Sequence, residues 1–371
     1  SKSENLNQGR HMVKVQKDQT LEALSKCKSA TEKKSALPVL SNFLLSASSG
    51  TLTVRATDLE NFLTFRIPAD TLKELVVSVN ASRLTEIVRT LSSNEVVLSL
   101  EEDKLHITSG RSSFKLATSD PEDFPEFPQP SEFSGEISSL LFLKAIDLIE
   151  PAISKDDTRY ALQGLYIHRV NGRTHFAGSD GYRLHVYYTE ESLPEMLIPR
   201  KSLKVIKTLI KDNISLIKIA SDETFTYFAT QDWTLACRTL EGEYPDYMAV
   251  IPSEFSFELS MNAETLLEAL KRLGSVAENS TYPVRLTFKE NTLRLSVEDP
   301  EYGSGEEEIT LQEKITEPLE IGFNAKYLIS ALDGISGEIT FKMVDPESAT
   351  LIEPADKELH PCFFVVMPMR L

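Results

Sequence analysis

One nine-residue pattern occurs three times along the chain. "GTLTVRATD" (50–58), "GRTHFAGSD" (172–180) and "NTLRLSVED" (291–299) each open on a turn residue, run through β-forming side chains and reach an aspartate eight positions later. Those aspartates, Asp58, Asp180 and Asp299, stand 122 and 119 residues apart. The segments before them, "SNFLLSASS", "LQGLYIHRVN" and "YPVRLTFKEN", read as strands entering the same turn, and "VNGR" (170–173) is an Asn-Gly hairpin signal. A repeat of about 120 residues is larger than a solenoid unit, so each copy is expected to be a small domain.

Other elements recur in step. "LVVSVNASRLTEIVRTL" (75–91), "MLIPRKSLKVIKTLI" (196–210) and "LEIGFNAKYLISALDGI" (319–335) each predict a short strand, a polar break and an amphipathic helix. A further helix opens each copy, at 20–27, 139–152 and 262–277. Late in the first two copies, Phe114 and Trp233 stand 119 apart. The expected fold is therefore α+β, with three tandem similar domains of two helices and about eight strands each. The Pro/Ser-rich stretches at 128–135 and 251–258 put the boundaries at 12–130, 131–254 and 255–371. Residues 1–11 lack the basic and apolar regions of a signal peptide and read as a leftover expression tail, with the native chain starting at Met12. The pattern suits an arc or ring of domains, and it suits a modular acidic scaffold equally well.

The net charge of −17 argues against nucleic-acid binding if charge is only summed, because phosphate contacts need cations. Its distribution changes that reading. Acid gathers at 99–103, 189–192 and 304–308, all read as loops, whereas Arg200, Lys204, Lys207 and Lys211 are spaced 4, 3 and 4. On a helix these cations share one stripe within about 60°. Leu203, Val205, Ile206, Leu209 and Ile210 cover the opposite arc. Weaker clusters are Lys26 with Lys28, Arg83 with Arg89, and Lys271 with Arg272. No apolar run approaches the roughly 18 residues of a membrane helix. Three scattered cysteines, Cys27, Cys237 and Cys362, fit reduced thiols.

Catalytic chemistry is thin. His168 and His175 flank the Asn-Gly turn as a cross-strand pair with no third metal ligand. Ser179 in "AGSDG" lacks an evident base, and no phosphate-binding loop occurs. A hydrolase using Asp180 and His185 is a competing reading. No catalytic residue, metal site or cofactor is expected. The terminus, "FFVVMPMRL" (363–371), is apolar where most chains fray. "FFVV" reads as a last core strand, and the proline after Met367 predicts that the chain leaves the sheet there.

The ordered set "LPVLSNFLL" (37–45), "TDLE" (57–60), "DFP" (123–125), "SDGYRL" (179–184), "IPRK" (198–201), "EYPDY" (243–247), "VIP" (250–252), "GFNAKY" (322–327) and "VVMPMRL" (365–371) resembles the bacterial DNA sliding clamp, the beta subunit of DNA polymerase III, from Met12 to Leu371. The resemblance implies a cytoplasmic, nucleoid-associated processivity factor without catalysis. Such a head-to-tail homodimer closes into a ring around double-stranded DNA, with helices lining the hole. It implies as partners the polymerase III alpha subunit, the clamp loader, and other polymerases and mismatch-repair proteins carrying short linear motifs. Near DNA it implies Lys34, Tyr160, Arg200 and Lys201, to which helix geometry adds Arg83, Lys204 and Lys207. Ala161 replaces a second aromatic of the family. The implied peptide pocket comprises Leu162, Ser179, Gly181, Tyr182, Arg183, Leu184, Pro245, Val250, Val366, Met367, Pro368, Met369 and Arg370, with Ala249 where many relatives carry arginine. The implied dimer interface is Phe114 and Leu116 against the region of Val276.

Overall fold

The computed structural model describes residues 11–156, 158–277 and 282–371. It holds two compact units, one running up to Leu143 and adding Ile198–Thr239, the other comprising Lys144–Leu197 and Leu240–Leu371. Helices α1 (Lys17–Lys28), α2 (Ala81–Thr90), α3 (Ser139–Ile149), α4 (Arg200–Ile210), α5 (Ala263–Leu273) and α6 (Ala325–Leu332) fall two to each sequence repeat. Three start the same way: Asn80, Asn262 and Asn324 accept the backbone N–H of Arg83, Thr265 and Lys326, satisfying a donor that the helix leaves unpaired.

The recurring aspartates each build the same turn. Oδ1 of Asp58 accepts the N–H groups of Glu60 and Asn61 at 3.0 and 2.6 Å. Asp180 does so with Tyr182 and Arg183 at 3.0 and 3.1 Å, and Asp299 with Glu301 and Tyr302 at 2.8 and 3.1 Å. A short carboxylate that caps its own backbone two and three residues on is what such a position selects. The Asn-Gly hairpin is present, with Val170 opposite Arg173 and both turn residues at positive φ (49° and 82°). The third copy departs from it. Its strand Pro283–Asp299 passes through Glu290 at φ 53°, with register irregularities on both sides instead of a tight glycine turn.

Strands join the repeats. Within the first unit, Asn61–Pro68 pairs antiparallel with Trp233–Arg238, placing Asn61 opposite Cys237 and Phe65 opposite Trp233. Within the second, Arg183–Thr189 pairs with Cys362–Val366, placing Arg183 opposite Val366 and Tyr187 opposite Cys362. Asn61 and Arg183 each stand three residues after their aspartate, so both junctions use one register. Two stretches with unpaired backbone bear on assembly. Ser112–Ser119 pairs fully with Lys104–Ser109 but meets Leu75–Asn80 only at Ser78 and Val79. Among the described residues, the stretch 303–310 pairs only with 292–299.

His11, assigned to the tail, opens the strand His11–Gln16 and sits opposite Leu100. Two expectations need correction. Glu306, Glu307 and Glu308, expected in a loop, lie in the strand Gly303–Asn324, their charges paired or facing solvent along one edge. Phe363 is only half-buried; alternation puts Phe364 in the core and Phe363 on the other face.

His185 is wholly buried on Arg183–Thr189, its Nδ1 2.8 Å from the Leu148 carbonyl and its Nε2 without a partner. Burial pushes its pKa from an ordinary 6.5 to about 4, and the same cause takes buried His175 to about 4. Unfolding therefore takes up protons between those values. Stability is complete above pH 6.5 and declines as pH falls from there to about 4. His185 alone should account for about 3 kcal/mol by pH 4. Urea unfolding of the His185→Gln variant should show a correspondingly smaller difference between pH 7 and pH 4.5.

Candidate functional site

Helix α4 meets the stripe expectation. Leu203, Val205, Ile206, Leu209 and Ile210 are buried, while Lys204 and Lys211 are exposed and Lys207 half-exposed. Burying five aliphatic side chains, each worth roughly 1.5–3 kcal/mol, settles which face turns outward. Lys204 and Lys211 have no acidic partner among the described residues. The other helical clusters are largely neutralised within the chain. Lys26 pairs with Glu22 at 2.9 Å, Arg89 with Glu86 at 2.7 Å, and Arg272 with Glu307.

Lys201 differs from its neighbours on α4. Its Nζ lies 3.3 Å from Asp58 Oδ2 and 3.5 Å from Glu32 Oε2. Burial alone would lower its pKa, but Asp58 and Glu32 outweigh that and raise it. The Asp58 side chain is only 2% exposed, so removing its cation would strand a carboxylate away from water. Lys201 is therefore largely occupied by the chain itself. Lys34 and Arg83 are exposed, and Tyr160 is 68% exposed. Ala161, where the second aromatic was expected, is half-buried against Leu162 and its neighbours.

The second unit gathers most of the expected pocket. Leu162 and Leu184 lie in one buried cluster with Tyr244, Tyr247 and Val365, forming a floor that leaves little of either leucine accessible. Val366 is fully buried and contributes backbone, opposite Arg183. Around that floor Tyr182, Val250 and Met367 are exposed at 59%, 62% and 40%. Pro245 is exposed beside them in sequence with buried Tyr244. Ser179 Oγ donates to the Arg183 carbonyl and accepts the Gly181 N–H, shaping the loop between them. Gly181 has φ +90°, a conformation that favours glycine, and a Cβ there would push the Arg159 guanidinium aside.

Arg183 is spoken for. Its guanidinium donates to Asp180 at 3.2 Å, to Ser330 Oγ at 2.7 Å and to the Pro151 carbonyl at 2.6 Å, and it stacks on Tyr327 at 4.4 Å. It braces the loop against α6, and its aliphatic stem is the part left to line a pocket.

The chain leaves its sheet at Pro368 as expected: the last strand ends at Val366, with a further bond from Met367 N–H to the Tyr182 carbonyl at 2.9 Å. Beyond the proline, Met369 N–H donates to the Gly322 carbonyl at 2.7 Å, an isolated bridge to a strand of a different sheet. Leu371 packs onto Gly322, where a Cβ would displace it. Pro368, Met369, Arg370 and Leu371 line one side of a groove of ≈ 730 Å³, with Glu320, Ile321 and Glu347 opposite.

Sequence reasoning missed the support behind this wall. Tyr244 stacks on Tyr166 at 4.6 Å, and the Tyr247 hydroxyl lies 2.6 Å from His168 Nε2 and 2.9 Å from His175 Nδ1. The paired histidines thus anchor the turn Tyr247–Val250. Arg159 was also missed, and nothing in its local sequence marks it. Asp180 and His185 make no catalytic pair: one carboxylate is engaged by Arg183, and the imidazole is enclosed behind Leu148 and Phe364.

Three tandem similar α+β copies joined strand to strand, with a cationic helix face and a methionine-bearing cleft, define a non-catalytic binding protein. The models for the N-terminal, central and C-terminal domains of the DNA polymerase III beta subunit match residues 12–128, 136–246 and 248–370. The beta sliding clamp of Caulobacter vibrioides is 30% identical over 96% of this chain and 99% of its own length. A sliding clamp from Bartonella birtlesii, solved with griselimycin bound, is 30% identical with TM-score 0.89 over 97% of this chain and 100% of its own. The Caulobacter crescentus clamp, with polyethylene glycol at a putative beta-motif tethering region, gives 29% and 0.91 over 98% of this chain and 99% of its own. The chain belongs to the bacterial DNA polymerase III beta subunit family, the sliding clamps. It is a DNA polymerase processivity factor, an accessory subunit without catalytic activity of its own.

Proposed function

We propose that this clamp closes as a head-to-tail homodimer around duplex DNA and holds it by topology, working in the bacterial cytoplasm at the nucleoid. The exposed Lys204 and Lys211 on the cationic stripe of α4, without an acidic partner among the described residues, support that reading. These cations can meet phosphates loosely, whereas each base-specific contact would add a barrier of roughly 1–3 kcal/mol to sliding. Lys204 and Lys207, with Arg200, Lys34 and Tyr160, are the DNA-facing set. Lys201 adds little, being held by Asp58 and Glu32. The three domains run 12–130, 131–254 and 255–371, a division supported by the matched spans.

Partner peptides, from the polymerase alpha subunit, the clamp loader and repair proteins, would enter the cleft over Leu162 and Leu184. Tyr182, Pro245, Val250, Met367, Pro368 and Met369 form its walls, and Arg370 stands at the rim. Methionine adapts to ligands of different shape, which suits a site shared by many. Ala249 leaves the rim without a cation at that point.

Ring closure follows from the register of the junctions within the chain. If the open strands 303–310 and 112–117 meet as Asn61–Pro68 meets Trp233–Arg238, Leu116 falls opposite Gly305 and Lys115 opposite Glu306 of the partner. A Cβ on Gly305 would lie near Leu273 and Val276, so the missing side chain leaves room there for Leu116. The exposed Phe114 would be covered as its counterpart Trp233 is.

Three outcomes test these points. Clamp loaded on a nicked circle should be lost when the circle is linearised; retention would overturn topological holding. Deleting Met367–Leu371 should leave a dimer that no longer binds a partner peptide by fluorescence anisotropy. Phe114→Ala with Leu116→Ala should sediment as a monomer.

A further inference from the structure

The three turn aspartates share their Oδ1 bonds but differ at Oδ2. Asp58 Oδ2 holds Lys201 at 3.3 Å, and Asp180 Oδ2 holds Arg183 at 3.2 Å. Asp299 builds the same turn, yet its Oδ2 has no cation among the described residues, and the side chain is half-exposed. An anion is thus left over in the third repeat.

A cation is left over in the first. Lys201 lies in the first turn of α4, two residues before buried Leu203. The corresponding turn of α2 ends at buried Leu84, and its cation is Arg83, one position later in the pattern. Arg83 is exposed, its backbone N–H is taken by Asn80, and its side chain has no acidic partner among the described residues. No acidic residue stands in that first turn. A cation at a helix N-terminus opposes the macrodipole unless an anion meets it. In α4 that anion is Asp58, supplied by the preceding repeat.

We propose that Arg83 of one protomer binds the turn carboxylate of Asp299 in its partner, so that the Asp58–Lys201 bond recurs between subunits. This rests on the strand pairing proposed for ring closure, which brings the third repeat against the partner's first as the first lies against the second. It moves Arg83 from the DNA-facing set to the subunit junction. Arg83 suits the place: its planar fork can take a carboxylate in two bonds, where a lysine gives one.

Sedimentation over a dilution series tests the pair. Arg83→Glu and Asp299→Arg should each raise the dimer dissociation constant by about tenfold or more, and the double exchange should recover most of it. Asp299→Asn, which keeps the acceptor of the turn, should weaken the dimer without altering the melting of the monomeric Phe114→Ala, Leu116→Ala background. Arg83→Gln at dimer-saturating concentration should leave the salt slope of DNA binding unchanged; a phosphate contact would make it shallower by about one. Failure of the double exchange to recover, or a shallower slope, overturns the pair. A Phe114, Leu116 variant that remains dimeric would instead overturn the ring-closure reading beneath it.

Discussion

Everything in this molecule hangs on one antiparallel pairing used twice. The strand after each turn aspartate takes the last strand of the next repeat onto its edge, with Asn61 opposite Cys237 and Arg183 opposite Val366. Backbone bonds set the spacing, and alternation decides which side chains face inward, so a one-residue slip would turn Leu235 and Phe364 out of the core. The aspartate holds the start of the receiving strand in place. The repeats are therefore joined by continuous sheet, and the side chains at each junction, Lys201 at the first and Arg183 at the second, add charge to a contact the backbone has already aligned.

The two surfaces proposed for function inherit that rigidity. Helix α4 carries its cations on a stripe fixed by five buried aliphatic residues, and Lys201 ties its first turn to Asp58. The cleft over Leu162 and Leu184 is built on the second junction, because its C-terminal wall is the continuation of the strand that pairs with Arg183–Thr189. Its opposite wall, Tyr247–Val250, rests on the Tyr247 hydroxyl between two neutral histidines. Burial lowers the pKa of both, so the hydroxyl can donate to one ring and accept from the other. Junction and binding site are one piece of sheet.

Much of this was legible in the sequence because periodicity reports burial directly. The helix stripe, the Asn-Gly hairpin and the cross-strand histidines follow from spacing alone, and the structure has all three. Pairing across long separations was not legible. Nothing near Lys201 announces Asp58, 143 residues earlier, so a cation read as free is bound. Arg183 was read as a pocket residue and its bracing role went unseen, since its partners Ser330 and Pro151 come from distant segments. Pro368 announced the end of the last strand, but not that Met369 would then bridge to Gly322 in a different sheet. The same local rule holds in each case, and the fold supplies the partner that the rule could not name.

Only two of the three junctions in each protomer's cycle lie within one polypeptide. Covalent linkage keeps their strands at a high effective concentration, so a broken bond there re-forms before the pieces separate. The junction proposed between 303–310 and 112–117 has no such tether to its partner. It also carries the least regular turn, one residue longer than those at Asp58 and Asp180, since Asp299 pairs with Gly303. A machine that must admit DNA without unfolding a domain has one place to pull. Chain connectivity alone makes it the seam, and the seam's strength can be tuned by a handful of surface residues without altering either domain core.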